Sequence, residues 1–469
     1  MKSGGSEVME RVGVLVVAYG SREAAMIDAL SRSERYSVEI YVADRHQNPF
    51  NVEKAKEHIV IHDLNVEKIC EFTKKHRKDI DFGIVGPEGP IIEGVRDIIE
   101  KEMHIPMICP TKEYAIEKSK VMQRRLFEEV IPEVNPRFKV FDPAEYSSII
   151  DVKNDLWKWL DDLNNQVVIK PDAVSTGKGV GVWGDHFKDR KELYEHFLSN
   201  YTHGPVIVEE KIEGEESSFQ AFCDGKHLVP LPETRDNKRA FEDDQGPNTG
   251  GMGSYKDVGN YLPFMTQKEW ETEVNIANRL FERLKDHGSN PGLRGIPFYL
   301  AFMHTGRGVK ILENNSRPGD PEIQNLLPLL KDDFVDLCLR IVDGTLDRVH
   351  FENRASVVIY KVPPTYGGKM KEFSGDCRVD LSEVYRLSKN NEEKMRVYPG
   401  ALESRAGEIY ALTSRAVCVV GIDENLESAR ETSLKGIDAI KGGALWFRRD
   451  IAAKQHIEKS IQHMKRLRH

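Results

Sequence analysis

The first hundred residues alternate between strand-like and helix-like stretches, and nothing else in the chain constrains its fold as much. "VGVLVVAY" (12–19) is a continuous apolar strand, and residues 22–30 form a helical stretch. "SVEIYVA" (37–43) and "IDFGIVGPE" (80–88) are further strand segments, with "VEKICEFTKKH" between them and "EGVRDIIEKE" after, both helical. Strands alternating with helices of this length predict βαβ units and a parallel sheet. At 469 residues the chain exceeds one ordinary core, so roughly two to four domains are expected.

Near residue 110 the pattern changes to a charged helical segment, "KEYAIEKSKVMQRRLFEEV". A second alternating block spans about 137–235, followed by a loop rich in Gly, Asn and Asp, "DDQGPNTGGMGSY". Helices are expected at 267–287 and 331–343, and from about 355 a last block of strands ends in the helix "ESARETSLKGIDAI". The basic segment from 452 reads as a solvated helical face. Hydrophobic residues make up 39% and charged residues 30%, the balance of a soluble globular protein. A net charge of −9 argues against general nucleic-acid binding. No apolar run approaches the roughly 18 residues that span a bilayer. Six scattered cysteines without a C-x-x-C pair read as buried thiols in a reducing cytoplasm.

Three stretches carry chemistry. In "ILENNSRPGDPEIQ" (311–324), a strand presents Glu313 and Asn315 two residues apart, then a proline-stiffened turn holds Arg317, Asp320 and Glu322. In "VVIKPDAVSTGKGVGV" a strand delivers Lys170, and a small-residue loop leads to Lys178 and Gly179. Glycines let backbone N–H groups approach phosphate oxygens, and lysine supplies a point charge. The pattern is not the Walker motif. "VIVEEKIEGEES" reads either as an acidic edge or as a hinge that recognises adenosine. Together, lysines with a glycine loop for phosphate, hard oxygens for Mg²⁺, and an arginine with acids for the acceptor make the division of labour that phosphoryl transfer needs.

With those residues in view, the sequence resembles the ATP-grasp ligases, and among them the phosphoribosylamine–glycine ligase family. The likeness runs along nearly the whole chain: "VLVVAYGSREAA", "DFGIVGPEGPIIEGVRD", "SKVMQRRLF", "VVIKPDAVSTGKGV", "VEEKIEGEESSF", "GPNTGGMGSY", "RPGDPEIQ" and "FRRDI" follow the family order. The resemblance implies that ATP, glycine and 5-phosphoribosylamine give glycinamide ribonucleotide, ADP and phosphate through glycyl phosphate. It implies an α/β ATP-grasp fold: a doubly wound, Rossmann-like domain at 1–112, an ATP-grasp domain at 113–350 with a small ATP lobe at about 137–212, and a C-terminal α/β domain at 351–469. Lys120, Lys170, Lys178 and Gly179 are then expected at the ATP phosphates, and Glu209, Glu210, Ile212 and Glu215 at the adenosine. Glu313 and Asn315 match the family's ligands for Mg²⁺ (or Mn²⁺). Arg317, Asp320 and Glu322 position glycine, the intermediate or the amine, and Asp236, Asn248, Thr249 and Gly250 flank the same substrates. Gly20, Arg22 and Glu23 match an N-terminal loop whose open N–H groups would hold the sugar phosphate. A cytoplasmic monomer or weak homo-oligomer, with small-molecule partners and no nucleic acid or membrane, completes the expectation.

The sequence departs from the family in places. Ala18 and Ser21 stand where the family has glycine, Ala24 replaces histidine, and Pro318 replaces an aromatic or aliphatic residue. The strand "FYLAFM" offers no third carboxylate for metal. Competing readings are an ATP-grasp ligase for another acid or amine and a non-catalytic nucleotide binder. The second would be marked by loss of Glu313, Asn315, Lys170 or Arg317, all of which are present. A nicotinamide enzyme would need G-x-G-x-x-G, which "AYGSRE" lacks.

Overall fold

The computed structural model describes residues 9–172 and 179–469, so Lys178 lies outside the described residues. The first alternating block forms a five-stranded, all-parallel sheet. Its spatial order is Glu57–Val60, Tyr36–Asp44, Glu10–Ala18, Phe82–Val85, Met107–Ile108. The chain winds outward from the first strand and then returns to its other side. That reversal is a switch point, and ligands in doubly wound sheets bind beyond the strand ends there. Two loops flank it: residues 19–21, which lead into helix Ser21–Ser31, and residues 86–88, which lead into helix Glu88–Glu93.

The second block builds a small antiparallel sheet in the order Phe138–Phe141, Val206–Glu210, Val167–Pro171, Gly181–Val182. Helices Ile149–Asp162 and Arg190–Tyr201 cover it over a core of Phe141, Leu156, Ile169, Phe197 and Val208. A second antiparallel sheet, in the order Leu228–Pro230, Glu215–Cys223, Gly295–Thr305, Gly308–Asn315, lies over helix Gln267–Leu284 through Phe298, Leu300, Phe302, Ile276 and Leu280. A third antiparallel sheet runs Arg235–Asp236, Gly253–Lys256, Ala355–Lys361, Val417–Asp423, Met395–Pro399 and so draws strands from both sides of residue 350.

The expected helices at 267–287 and 331–343 are found at Gln267–Leu284 and Phe334–Asp343. The basic C-terminal helix, Lys454–Arg468, keeps Lys454, Lys459, Lys465 and Arg466 on a solvated face and docks the opposite one. It buries Ser460 and Met464, and its polar face pairs His456 with Asp244, His463 with Glu215 and Arg468 with Glu269. Those partners lie on the 240s loop, strand Glu215–Cys223 and helix Gln267–Leu284, which its own sequence does not reveal. All six cysteines are free thiols, five buried and Cys377 half-buried. Among the described residues no helix is long and apolar enough to cross a membrane.

Candidate active site

A cleft of ≈ 390 Å³ opens between the small lobe and the central sheet. Its floor depends on a local irregularity. In the ladder between Gly295–Thr305 and Gly308–Asn315, Ala301 faces Glu313 while the next residue, Phe302, faces Ile311. Leu312 is therefore an extra residue, a β-bulge. Without it, period-2 alternation would put Glu313 on the core face with Ile311. With it, Glu313 and Asn315 join Tyr299 and Ala301 on the cleft face, and Ile311 and Phe302 stay in the core.

The small lobe supplies the opposite wall. Val168 and Lys170 alternate onto the cleft face, and Glu209 sits across the ladder from Val168. One oxygen of Glu209 pairs with the Lys170 ammonium, and the other lies 2.8 Å from Arg124 Nε. Burial alone would raise its pKa, but Arg124 and Lys170 outweigh burial and hold it below the usual carboxylate range. Lys120 begins helix Lys120–Val130, capped by the Ser119 hydroxyl, and also lines the cleft. Burial depresses the Lys120 ammonium, and Glu313 opposes that shift. Glu313 is pushed up by burial and pulled further down by Lys238, Lys170 and Lys120, so it stays ionised. Its carboxylate and the Asn315 amide oxygen are the hard donors that Mg²⁺ takes when it keeps waters and phosphate oxygens. Among the described residues no group of three or more His, Cys, Asp or Glu could hold a metal alone. The donor set therefore fits a metal that phosphates help to bind.

Glu210 and Ile212 line the cleft, and Glu210 accepts the Arg137 N–H at 2.9 Å. Glu215 does not line it. Glu215 and Glu216 are neighbours on strand Glu215–Cys223 and point to opposite faces. Glu215 takes Arg235 and His463, each at 2.6 Å, whereas Glu216 faces the cleft and holds Lys238 at 2.8 Å. Gly179 adopts φ +84° beside Pro171 and Asn200, at the edge of the lobe.

Beyond Glu313 and Asn315, the residues Asp236, Asn248, Thr249, Gly250, Arg317 and Asp320 share the cleft, at the end expected to take the acceptor. Arg317 lies 3.6 Å from Glu88 and 3.8 Å from Glu117, with its guanidinium 5.5 Å from the centre of the Tyr299 ring. Glu322 is buried behind Tyr299, whose hydroxyl donates to its Oε1. Asp236 Oδ1 and Glu322 Oε2 accept no hydrogen bond from the described residues. Burial and the Glu322 charge raise the Asp236 pKa. The 250s loop turns on Gly251, at φ +106°, where a Cβ would lie 2.6 Å from Asp236 Oδ1.

In the N-terminal loop the buried Glu23 folds back and accepts from Gly20 N at 2.9 Å and Tyr19 N at 3.3 Å, so these two N–H groups are taken within the loop. Glu23 also binds Arg22 Nε at 2.7 Å, and Arg22 donates to the Pro318 carbonyl at 2.9 Å. Glu23 thus caps its own helix. Gly20 lies beside Asp320, since a Cβ on it would lie 3.8 Å from Asp320 Oδ2. Ala18 closes its strand without a positive φ, so the missing glycine strains nothing there.

Residues 12–117 match the family "Phosphoribosylglycinamide synthetase, N domain", and residues 137–323 match its "ATP-grasp (A) domain". A phosphoribosylamine–glycine ligase of Methanocella arvoryzae is 36% identical over 458 residues, covering 97% of this chain and 99% of its own. One from Pyrococcus furiosus is 37% identical over 461 residues, covering 97% and 98%. The chain belongs to the phosphoribosylamine–glycine ligase family. The crystal structure of a Thermotoga maritima member superimposes with a TM-score of 0.72 at 22% identity, over 94% of this chain and 100% of that one, and so shares the ATP-grasp fold.

For a phosphoribosylamine–glycine ligase, several residues at this site have no counterpart in the reading of the sequence. Lys238 lies two residues after Asp236 and shares its cleft-facing side, a spacing that could have revealed it. Glu216 was obscured by its neighbour. Glu117, three residues before Lys120, lines the cleft and accepts the Ser316 N–H at 2.8 Å. Burial raises its carboxyl, Arg317 opposes and Glu88 adds, leaving it at about 7.

Proposed function

We propose that this protein ligates glycine to 5-phosphoribosylamine at the expense of ATP, through glycyl phosphate, to give glycinamide ribonucleotide, ADP and phosphate. One observation carries the reading. Lys120 and Lys170, Glu313 and Asn315, and Arg317 with Asp320, drawn from distant segments, line a single cleft. A carboxylate is a poor electrophile, and phosphorylating its oxygen turns that oxygen into a leaving group. Lys120 and Lys170 neutralise the ATP phosphates, and Glu210 and Ile212 meet the adenosine; a part for Lys178 in covering the phosphates stays an expectation of the sequence alone. Glu313 and Asn315 would hold Mg²⁺ (or Mn²⁺), which neutralises charge on the transferring phosphoryl group. Arg317 faces the carboxylate of glycine, and Asp236, which lines the cleft, is the carboxyl nearest an incoming amine, with Glu322 behind Tyr299 holding that wall. The two walls keep water from the acyl phosphate. The division at residues 112 and 350, with the small lobe at about 137–212, and a monomeric or weakly associated state belong to the same proposal.

The test is ADP release with Mg·ATP and glycine, with and without freshly generated phosphoribosylamine. ADP and glycinamide ribonucleotide should appear together only with both substrates, and Glu313→Ala should abolish both. ATP turnover with a different acid or amine in their place would sink the assignment.

A further inference from the structure

The C-terminal sheet reaches the acceptor end through three side chains to which the reaction derived above gives no part. Tyr360 is the penultimate residue of strand Ala355–Lys361 and faces Cys418 across the ladder. Arg415 lies two residues before strand Val417–Asp423, and Tyr366 sits in the short turn Tyr366–Gly368. Arg415 Nη2 is 2.8 Å from Asp320 Oδ2, and its Nη1 donates to the Asp320 carbonyl at 2.9 Å and the Gly250 carbonyl at 2.5 Å. The Tyr360 hydroxyl donates to Asp320 Oδ1 at 2.6 Å, and its ring lies 4.8 Å from the Arg415 guanidinium. The Tyr366 hydroxyl accepts the Gly250 N–H at 2.9 Å.

Both carboxylate oxygens of Asp320, and both the N–H and the C=O of Gly250, are therefore held by residues of the last hundred or so positions. The restraint matters because "GPNTGGMG" has few side chains with which to fix its own path. Asp320 and Arg415 are 9% and 13% exposed at their side chains, so the pair works in a poorly solvated place where its geometry is costly to disturb. A fork contacting a carboxylate and two carbonyls at once suits guanidinium and not ammonium.

We propose that Arg415 is a positioning residue of the acceptor site. Its fork locks Asp320 and the Gly250 loop into one arrangement, with Tyr360 and Tyr366 as its supports, so that the C-terminal sheet is a working part of substrate recognition. The proposal rests on the ligase reading above for its kinetic consequences, but not for its mechanical one.

The full-length chain carrying Arg415→Met, Arg415→Lys, Arg415→Ala or Tyr360→Phe tests it. Without ligand, Arg415→Met should raise amide exchange across residues 249–252 by on the order of tenfold or more, as expected when a local opening loses its restraint. In turnover, kcat/KM for glycine and phosphoribosylamine should fall on the order of 100-fold, with the KM for ATP held within about threefold. Tyr360→Phe, which removes one hydrogen bond, should cost roughly tenfold or less. Arg415→Lys should fall between wild type and Arg415→Met. Guanidinium ion should restore activity to Arg415→Ala, and ammonium ion should not. Unchanged exchange in Arg415→Met, or a KM for ATP that rises with the others, or rescue by neither ion, overturns the proposal. If wild type makes no glycinamide ribonucleotide, the ligase reading fails, and the exchange experiment alone then decides the clamp.

Discussion

Glu209→Ala probes the joint between the small lobe and the cleft floor. Glu209 is 2% exposed and pairs with Lys170 and Arg124. Arg124 also donates to Asn135 Oδ1 at 3.0 Å, to the Ile311 carbonyl at 3.1 Å and to the Leu312 carbonyl at 2.6 Å. One carboxylate thus ties strand Val206–Glu210 to helix Lys120–Val130 and, through Arg124, to the bulge that aims Glu313. Removing it leaves two poorly solvated cations facing each other, and breaking a buried pair from one side costs about 3–5 kcal/mol. Arg124 keeps its three other bonds, which places the expected loss near the lower bound, about 3 kcal/mol. Urea unfolding followed by tryptophan fluorescence reads this directly, because Trp157, Trp159 and Trp183 lie in the small lobe and Trp159 donates to the Val208 carbonyl at 3.0 Å. Glu209→Gln, which keeps an acceptor, should lose roughly half as much. In a cycle with Arg124→Met, the coupling should be about 2 kcal/mol. A loss below about 1 kcal/mol, or additive single variants, would refute the reasoning.

Two further outcomes are expected. Buried His304 lies 2.9 Å from Glu273 and 3.8 Å from Glu269; burial lowers its pKa, but these carboxylates outweigh it and raise the ring to about 9 from 6.5. Its folded pKa exceeds its unfolded one, so the stabilisation is complete below pH 6.5 and is lost as pH rises through 9, about 3 kcal/mol in all. Thermal unfolding at pH 6 and pH 9.5 should show that slope in wild type and not in His304→Gln, and an equal slope in both would refute it. Glu215→Gln should leave the KM for ATP unchanged while loosening the C-terminal helix, and Glu210→Gln should raise it. Steady-state kinetics with ATP varied decides, and a Glu215→Gln variant impaired for ATP would restore that residue to the adenosine site.

How much of this was legible in the sequence depended on the range of the interactions involved. The parallel N-terminal sheet follows from period and segment length, which are local properties of the chain. The chemistry of the site was legible too, since Lys170, Glu313, Asn315, Arg317 and Asp320 are residue types that phosphate, metal and carboxylate demand, at short fixed spacings. The orientation of those residues was not. Glu313 reaches the cleft because Leu312 bulges out of register with a partner strand, and pairing register is a property of two strands. Whether Glu215 or Glu216 faces the cleft depends on which side of their strand is packed, and Arg235 and His463 make that choice from elsewhere in the chain. Glu23 turns inward on the amides of its own loop, a cap settled by burial against Arg22 and Pro318. Arg415 reaches Asp320 from 95 residues along the chain, and no local pattern announces it. The sequence alone determined which groups the protein can bring to its reaction, because side-chain chemistry belongs to single residues. Only the tertiary structure decided which of them meet, because burial, register and long-range ion pairs exist only once distant segments pack.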